Sequence, residues 1–381
     1  MEQTERDKKL VTLIQALMKT DHGLGLINDT LGSGGLTVAP KTPGGDIGKL
    51  LADDPEAVTA ALDEAGYAML RQIEKTEFPI VTDPDRVANA EDGTILDTET
   101  TGLNPGEDRI VQLALLHFKY DEQGIISLGG FFNEYHDPGV PMSAEATEVT
   151  GITDEMLKGK KITNEQIKAE IGDKKMVVAH NAGFDRKFCE ADFPDAGFVE
   201  INWHCSFAQI DWKARGMKGS SLELLALTEG YVYGAHDAYS DVAATAFVLN
   251  SVNSEGKTAF AEMYERGMGK SIMIIAEKCP FESKDDLKDA GYKWAADGTE
   301  TGGIKAWFKV VPDLPEEIAA ESEIIRGAYG RDVSLPAYEM DQKILYSSRR
   351  PTERVTFRTA EVKSPQEALK MLNDNEQPSL I

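Results

Sequence analysis

Leu96-Asp97-Thr98-Glu99-Thr100-Thr101-Gly102-Leu103 is the stretch on which the fold turns. It continues a short apolar strand, Thr94-Ile95-Leu96, and side chains two apart on a strand face the same way, so Asp97 and Glu99 point at one spot. Paired carboxylates repel. A divalent cation that prefers oxygen ligands, Mg²⁺ or Mn²⁺, relieves that repulsion; otherwise one carboxyl takes a raised pKa and becomes a general acid. Alone, the Asp-x-Glu pattern is common and reads as a solvated strand end.

Outward from this strand, residues 109–118 and 125–132 are strong apolar strands joined by the polar turn Asp121-Glu122-Gln123-Gly124, which predicts a three-stranded meander. Residues 175–179 form a further buried strand with a helix over about 182–191, and helices follow over about 220–229 and 239–249. Short strands alternating with helices predict an α/β layer fold. The fourth strand runs into His180-Asn181-Ala182-Gly183-Phe184-Asp185, placing Asp185 in the first turn of the next helix. His236-Asp237-Ala238-Tyr239-Ser240-Asp241 opens an Ala-rich helix, with Asp241 in its first turn and His236 in the loop ahead. Either aspartate taken singly passes as a partner of the helix dipole; it is their joint occurrence with Asp97 and Glu99, in this order, that carries information.

In that order the three motifs resemble the DEDD superfamily of 3′-to-5′ exonucleases in its histidine (DEDDh, DnaQ-like) branch, which includes the proofreading epsilon subunit of bacterial DNA polymerase III. Tyr67-Ala68-Met69-Leu70-Arg71, Trp203-His204-Cys205-Ser206 and Gly291-Tyr292-Lys293-Trp294 are similar to a stand-alone bacterial subfamily, so the resemblance spans about residues 60–350. It implies a ribonuclease H-like mixed five-stranded sheet flanked by helices. It implies two Mg²⁺ (or Mn²⁺) ions held by Asp97, Glu99, Asp185 and Asp241, with Asp97 bridging both, and His236 as general base. It implies that Thr98, Thr100, Thr101 and Leu103 meet the 3′-terminal nucleotide, and that His180, Asn181 and Phe184 line its pocket, although Phe184 reads equally well as core. The product would be 5′-mononucleotides removed from DNA 3′ ends, in proofreading, repair or DNA degradation. The same active site serves RNA exonucleases, and a non-catalytic replication adaptor would be suggested by a lost carboxylate, of which there is none. Asp237 departs from the pattern: relatives commonly carry a basic residue there, and a carboxylate beside His236 is expected to raise its pKa or to disfavour an approaching phosphate.

Composition divides the rest. Residues 1–88 read as an N-terminal helical arm with a Gly/Pro-rich linker, a second helical stretch covering about 55–75; 89–255 as the exonuclease domain; 256–312 as a small α+β module; and 313–381 as a tail with a locally basic segment at 341–370. In the module Tyr292, Trp294, Trp307 and Phe308 interleave with Lys288, Lys293, Lys305 and Lys309, a pattern that suits either a small aromatic core or stacking on single-stranded bases. The final Gln377-Pro378-Ser379-Leu380-Ile381 resembles a sliding-clamp-binding peptide, which would give a polymerase or clamp contact through Gln377, Leu380 and Ile381.

With 40 Lys plus Arg against 65 Asp plus Glu, the formal charge is −25, which argues against charge-driven coating of nucleic acid and confines any such work to one site. The 3 cysteines, Cys189, Cys205 and Cys279, form no CxxC pair, which excludes a disulfide framework or a zinc knuckle. No run approaches the roughly 18 apolar residues of a membrane span, and the charged start Met1-Glu2-Gln3-Thr4-Glu5-Arg6 lacks a signal-peptide core, so the expectation is a cytoplasmic protein without membrane contact.

Overall fold

The computed structural model describes residues 70–73, 76–296, 298 and 300–361, in a chain that divides into two compact units. One unit gathers residues 1–77 with 223–234; nearly all of the expected N-terminal arm lies outside the described residues. The helix expected over 55–75 is corrected at its end, because Arg71–Gln72 is a strand paired in parallel with Tyr231–Val232. The Arg71 amide donates to the Gly230 carbonyl, and a partner so distant in the chain is invisible to local periodicity.

The other unit, residues 78–222 and 235–381, contains two five-stranded sheets. The first comprises β1 (Glu91–Thr100), β2 (Ile110–Asp121), β3 (Gly124–Tyr135), β4 (Met176–Ala179) and β5 (Asn202–Cys205) in the order β3-β2-β1-β4-β5. β1, β2 and β3 form the expected antiparallel meander, and β4 and β5 add in parallel, so the sheet is mixed. Its central strands are buried on both faces, which is why 110–116 reads as an almost unbroken apolar run. Helices α1 (Ala144–Thr150), α2 (Asp154–Leu157), α3 (Asn164–Ile171), α4 (Ala182–Asp192), α5 (Ala238–Leu249) and α6 (Ala259–Met268) accompany it. Local chemistry sets their ends: Ser143 caps α1 and Gly151 closes it in the left-handed region at φ 70°, while Thr163 and Gln166 form a reciprocal capping box on α3.

Sheet parity positions the site. Leu96 of β1 and its neighbours Leu113 and Leu115 on β2 pack with Phe188 and Cys189 of α4, so Thr98, in register with Leu113, also faces the α4 side. Asp97 and Glu99, in register with Ala114 and Gln112, face the opposite side.

The second sheet corrects the expected boundary at 312. β6 (Ser271–Ala276), α7 (Lys284–Asp289), β7 (Lys293–Trp294) and β8 (Trp307–Pro312) are followed by α8 (Pro315–Tyr329), β9 (Ser334–Met340) and β10 (Arg354–Arg358), and the antiparallel strand order β10-β9-β6-β8-β7 puts two strands of the supposed tail in the module's own sheet. The central β6 needs a neighbour on each side, and β9 supplies the one that 256–312 cannot. Here Tyr292 is buried and Trp307 packs against the module core, whereas Trp294 is 52% exposed. Lys309 pairs with the buried Glu321, so this lysine serves the core rather than a nucleic-acid face. Residues 362–381, including Gln377, Leu380 and Ile381, lie outside the described residues. Among the described residues no helix is long and apolar enough to cross a membrane.

Candidate active site

The carboxylate oxygens of Asp97, Glu99 and Asp241 lie within 4.8 Å of one another. Two come from alternate positions of one strand, and the third from the first turn of α5, which packs over that face. The Ala-rich sequence of α5 lets it approach the sheet closely: Ala238, Ala244 and Ala246 are fully buried. Asp185 reaches the same region from the other side, in the first turn of α4, and is 3% exposed. The Thr98 hydroxyl donates to Asp185 Oδ1 at 2.9 Å, so the residue between the two strand carboxylates orients a third carboxylate.

The electrostatics are those of like charges held close together. Burial first, then the charges of Asp185, Asp241 and Glu99, push the Asp97 carboxyl well above its ordinary value. Burial, then the charges of Asp241, Asp185 and Asp237, raise Glu99 to about 8. Burial raises Asp185 to about 7, against the Thr98 hydrogen bond, which lowers it. An all-oxygen set that is half-buried and self-repelling fits hard divalent cations, for which Mg²⁺ and Mn²⁺ are the matching class.

His236 is exposed in the loop before α5, with its backbone in the left-handed region at φ 63°. That strained conformation is held from two sides. The His236 amide donates to Asp241 Oδ2 at 2.9 Å, tying the loop to the acidic cluster. Asp237 is the N-cap of α5: one oxygen accepts from the Ser240 amide and hydroxyl, at 3.2 and 2.9 Å, and the other from the buried Gln112 amide at 3.0 Å. Gln112 also donates to Asn133, so a partly buried hydrogen-bond chain crosses β3 and β2 into the start of α5. Asp237 therefore has a structural role at the cap and on Gln112, while its charge still adds to the repulsion that raises Asp97 and Glu99.

The residues expected at the terminal nucleotide fall into two groups. Leu103 is 85% exposed at the tip of the 101–109 loop, and Asn181 is exposed at the start of α4. Thr100 and Thr101 are buried, with hydroxyls committed to the loop itself: Thr100 donates to the Gly102 carbonyl, and Thr101 donates to Asp108 and accepts from the Arg109 amide. His180 is tied at both ring nitrogens, to the Ser206 hydroxyl at 2.9 Å and the Ser220 carbonyl at 2.8 Å. Phe184 leans on Phe188 with ring centroids 4.7 Å apart, at the rim of the core. Sequence reading missed Gln112 and Arg186, because the partner that makes each matter lies 125 and 156–159 residues away.

Comparison with known proteins bears on the same segment. Residues 94–249 match the RNase_T exonuclease family model. The chain is 33% identical over 293 residues to a DNA polymerase III PolC-type protein of Thermotoga maritima, covering 70% of this chain and 20% of that protein. It is 40% identical over 110 residues to its counterpart in Halalkalibacterium halodurans, covering 28% of this chain and 7% of that protein. The chain thus spans a fifth or less of the length of these relatives. Among solved structures, Exonuclease X in complex with 5′ overhanging duplex DNA aligns with TM-score 0.33 and 23% identity over 44% of this chain and 99% of that one. E. coli Exonuclease I in complex with an oligonucleotide aligns with TM-score 0.37 and 15% identity over 58% and 63%. Residues 94–249 thus carry a likeness to the RNase_T exonucleases, and the chain is similar over 293 residues to a part of the PolC-type polymerases.

Proposed function

We propose that the protein is a metal-dependent 3′-to-5′ exodeoxyribonuclease that removes 5′-mononucleotides from single-stranded or frayed DNA ends in the cytoplasm. The observation that carries this reading is the convergence of Asp97, Glu99 and Asp241 within 4.8 Å, with Asp185 on the neighbouring helix and His236 in the loop above. Asp97, Glu99, Asp185 and Asp241 would hold two divalent cations, which would supply the positive charge that an attacking water and a leaving oxygen need in an in-line displacement. The chain's own groups do the rest. His236 accepts the proton of the attacking water at a ring nitrogen. Its exposure suits it to proton exchange with solvent, and its main-chain amide ties its loop to Asp241. The exposed Leu103 wedges against the terminal base, and the backbone after Glu99 tracks the terminal nucleotide.

The overall charge of −25 means that affinity comes from the site and not from general attraction to phosphate. A replicative polymerase is the natural neighbour, given the PolC-type relatives, with proofreading as the role. An exoribonuclease is the second reading, since the same cluster serves RNA.

The test is digestion of matched 3′- and 5′-labelled single-stranded DNA and RNA in Mg²⁺ or Mn²⁺, wild type beside Asp97→Ala. Stepwise shortening from the 3′ end that requires metal and vanishes in the variant supports the reading, and the DNA-to-RNA rate ratio chooses the sugar. No metal-dependent shortening of either polymer sinks it.

A further inference from the structure

Arg186 follows Asp185 on α4 and is fully buried. Its guanidinium is spent almost entirely on a single turn of the C-terminal region. Nη1 donates to the Gln342 carbonyl at 2.9 Å and the Leu345 carbonyl at 2.8 Å, and Nη2 to the Lys343 carbonyl at 2.6 Å. Nε donates to Glu190 at 2.7 Å, one turn along α4, and the plane lies 5.5 Å from the Trp203 ring on β5. The same turn is fastened elsewhere: the Ser347 hydroxyl donates to Glu190 at 2.5 Å, and the Gln342 amide donates to the Gly267 carbonyl at 2.6 Å, on α6. Tyr346, at φ 67°, packs its ring into the exonuclease core beside this knot.

A surface loop that merely covers a helix does not need a buried cation. Arginine's planar fork is suited to fix several acceptors in one orientation, and here it fixes three main-chain carbonyls of residues that follow the second sheet's central strands. Because Asp185 and Arg186 are consecutive on α4, the rotation and height of α4 that satisfy Arg186 also set where Asp185 meets Thr98.

We propose that the 342–347 turn is a positioning strap for α4: by gripping Arg186 it holds Asp185 in register with the acidic cluster, so the C-terminal sheet governs how well the site binds its cations. The inference rests on the nuclease reading above and adds to it a dependence of the site on residues after 340. Arg186 is a positioning residue, acting through Asp185.

The test uses the full chain. Arg186→Lys keeps the charge beside Glu190 but replaces the fork by a single point of donation. Mn²⁺ titration without nucleic acid, thermal melting and steady-state cleavage of a labelled single-stranded DNA are measured together. The expected result is a cooperative melt, Mn²⁺ binding about 10-fold weaker, kcat down about 10-fold and KM within about twofold of wild type. A folded variant with wild-type Mn²⁺ affinity overturns the proposal, as does a change confined to melting temperature or KM. Should Arg186→Lys fail to fold, Gln342→Ala cuts the strap's tie to α6 from outside: Mn²⁺ binding weakened about threefold supports the strap, and wild-type affinity overturns it. Failure of the nuclease reading is separable, because it shows as absent cleavage in the wild type, whereas the Mn²⁺ titration needs no substrate.

Discussion

Thr98 donates to Asp185 at 2.9 Å from the face of β1 opposite Asp97 and Glu99, so one strand supplies two members of the acidic cluster with one face and orients a third with the other. Thr98→Val keeps the shape and removes the donor. Asp185, already raised to about 7, is then expected to rise further, which weakens Mn²⁺ binding at pH 7 about 10-fold and costs about 1–2 kcal/mol of stability. Thr98→Ser should restore both. Calorimetric Mn²⁺ titration of the two variants across pH 6–8 checks it; equal affinities would show that the hydrogen bond is idle.

The acidic cluster also sets the pH dependence of the metal-free protein. Glu99 is raised from 4.5 to about 8, so its folded carboxyl binds a proton more tightly than the unfolded one. Its contribution to stability is full below about 4.5 and is lost as pH rises through about 8. In chelator the melting temperature should fall between pH 6 and 8. Mn²⁺ at about 100 times its pH 8 dissociation constant adds roughly 2.7 kcal/mol at pH 8, and since it binds the ionised carboxylates the same concentration should stabilise less at pH 6.

Asp97→Asn removes one carboxylate from that repulsion. Activity should fall by about 10³-fold or more, while the metal-free variant melts higher than wild type at pH 8, the usual exchange between a strained site and stability. A lower melting temperature would mean that the cluster is not under electrostatic strain.

Gln112 and Asp237 are in hydrogen-bond contact at 3.0 Å, and together they steady the loop that carries His236. Gln112→Leu is expected to leave substrate KM within about twofold and to lower kcat about 10-fold, with a stability loss of about 1–3 kcal/mol from the Asp237 Oδ1 left without its donor. Asp237→Ala should cost about 1 kcal/mol through the lost cap alone and lower kcat similarly. A full kcat in the Gln112 variant would remove the network from the account of the site.

His204, fully buried on β5 with both ring nitrogens lacking hydrogen-bond partners, is lowered from 6.5 to about 4 by burial. The unfolded chain takes up its proton first, so stability is full above about 6.5 and is lost as pH falls toward about 4. His204→Leu should flatten the acid limb of the melting curve between pH 6 and 4, which a pH series of thermal melts reads directly.

Much of the first sheet was legible because its signals are local. The meander announces itself through two apolar runs and a polar turn, and the helices through their caps and periodicity. The spacing of Asp97 and Glu99 declares a shared face because strand parity acts over two residues. The strand at Arg71–Gln72 and the strands after 330 were not legible, since each is made by pairing with a distant segment rather than by its own pattern.

The sequence alone therefore determined the acidic motifs, their order along the chain and the elements that bear them, all properties of spacings of a few residues. Only the tertiary structure decided that Asp241 completes a cluster with Asp97 and Glu99 while Thr98 orients Asp185, that Asp237 is a cap bound to Gln112, and that the C-terminal region closes on Arg186. Those relations join residues 87 to 159 positions apart, and they depend on sheet register and helix docking, which the burial of the whole core fixes and no short stretch encodes.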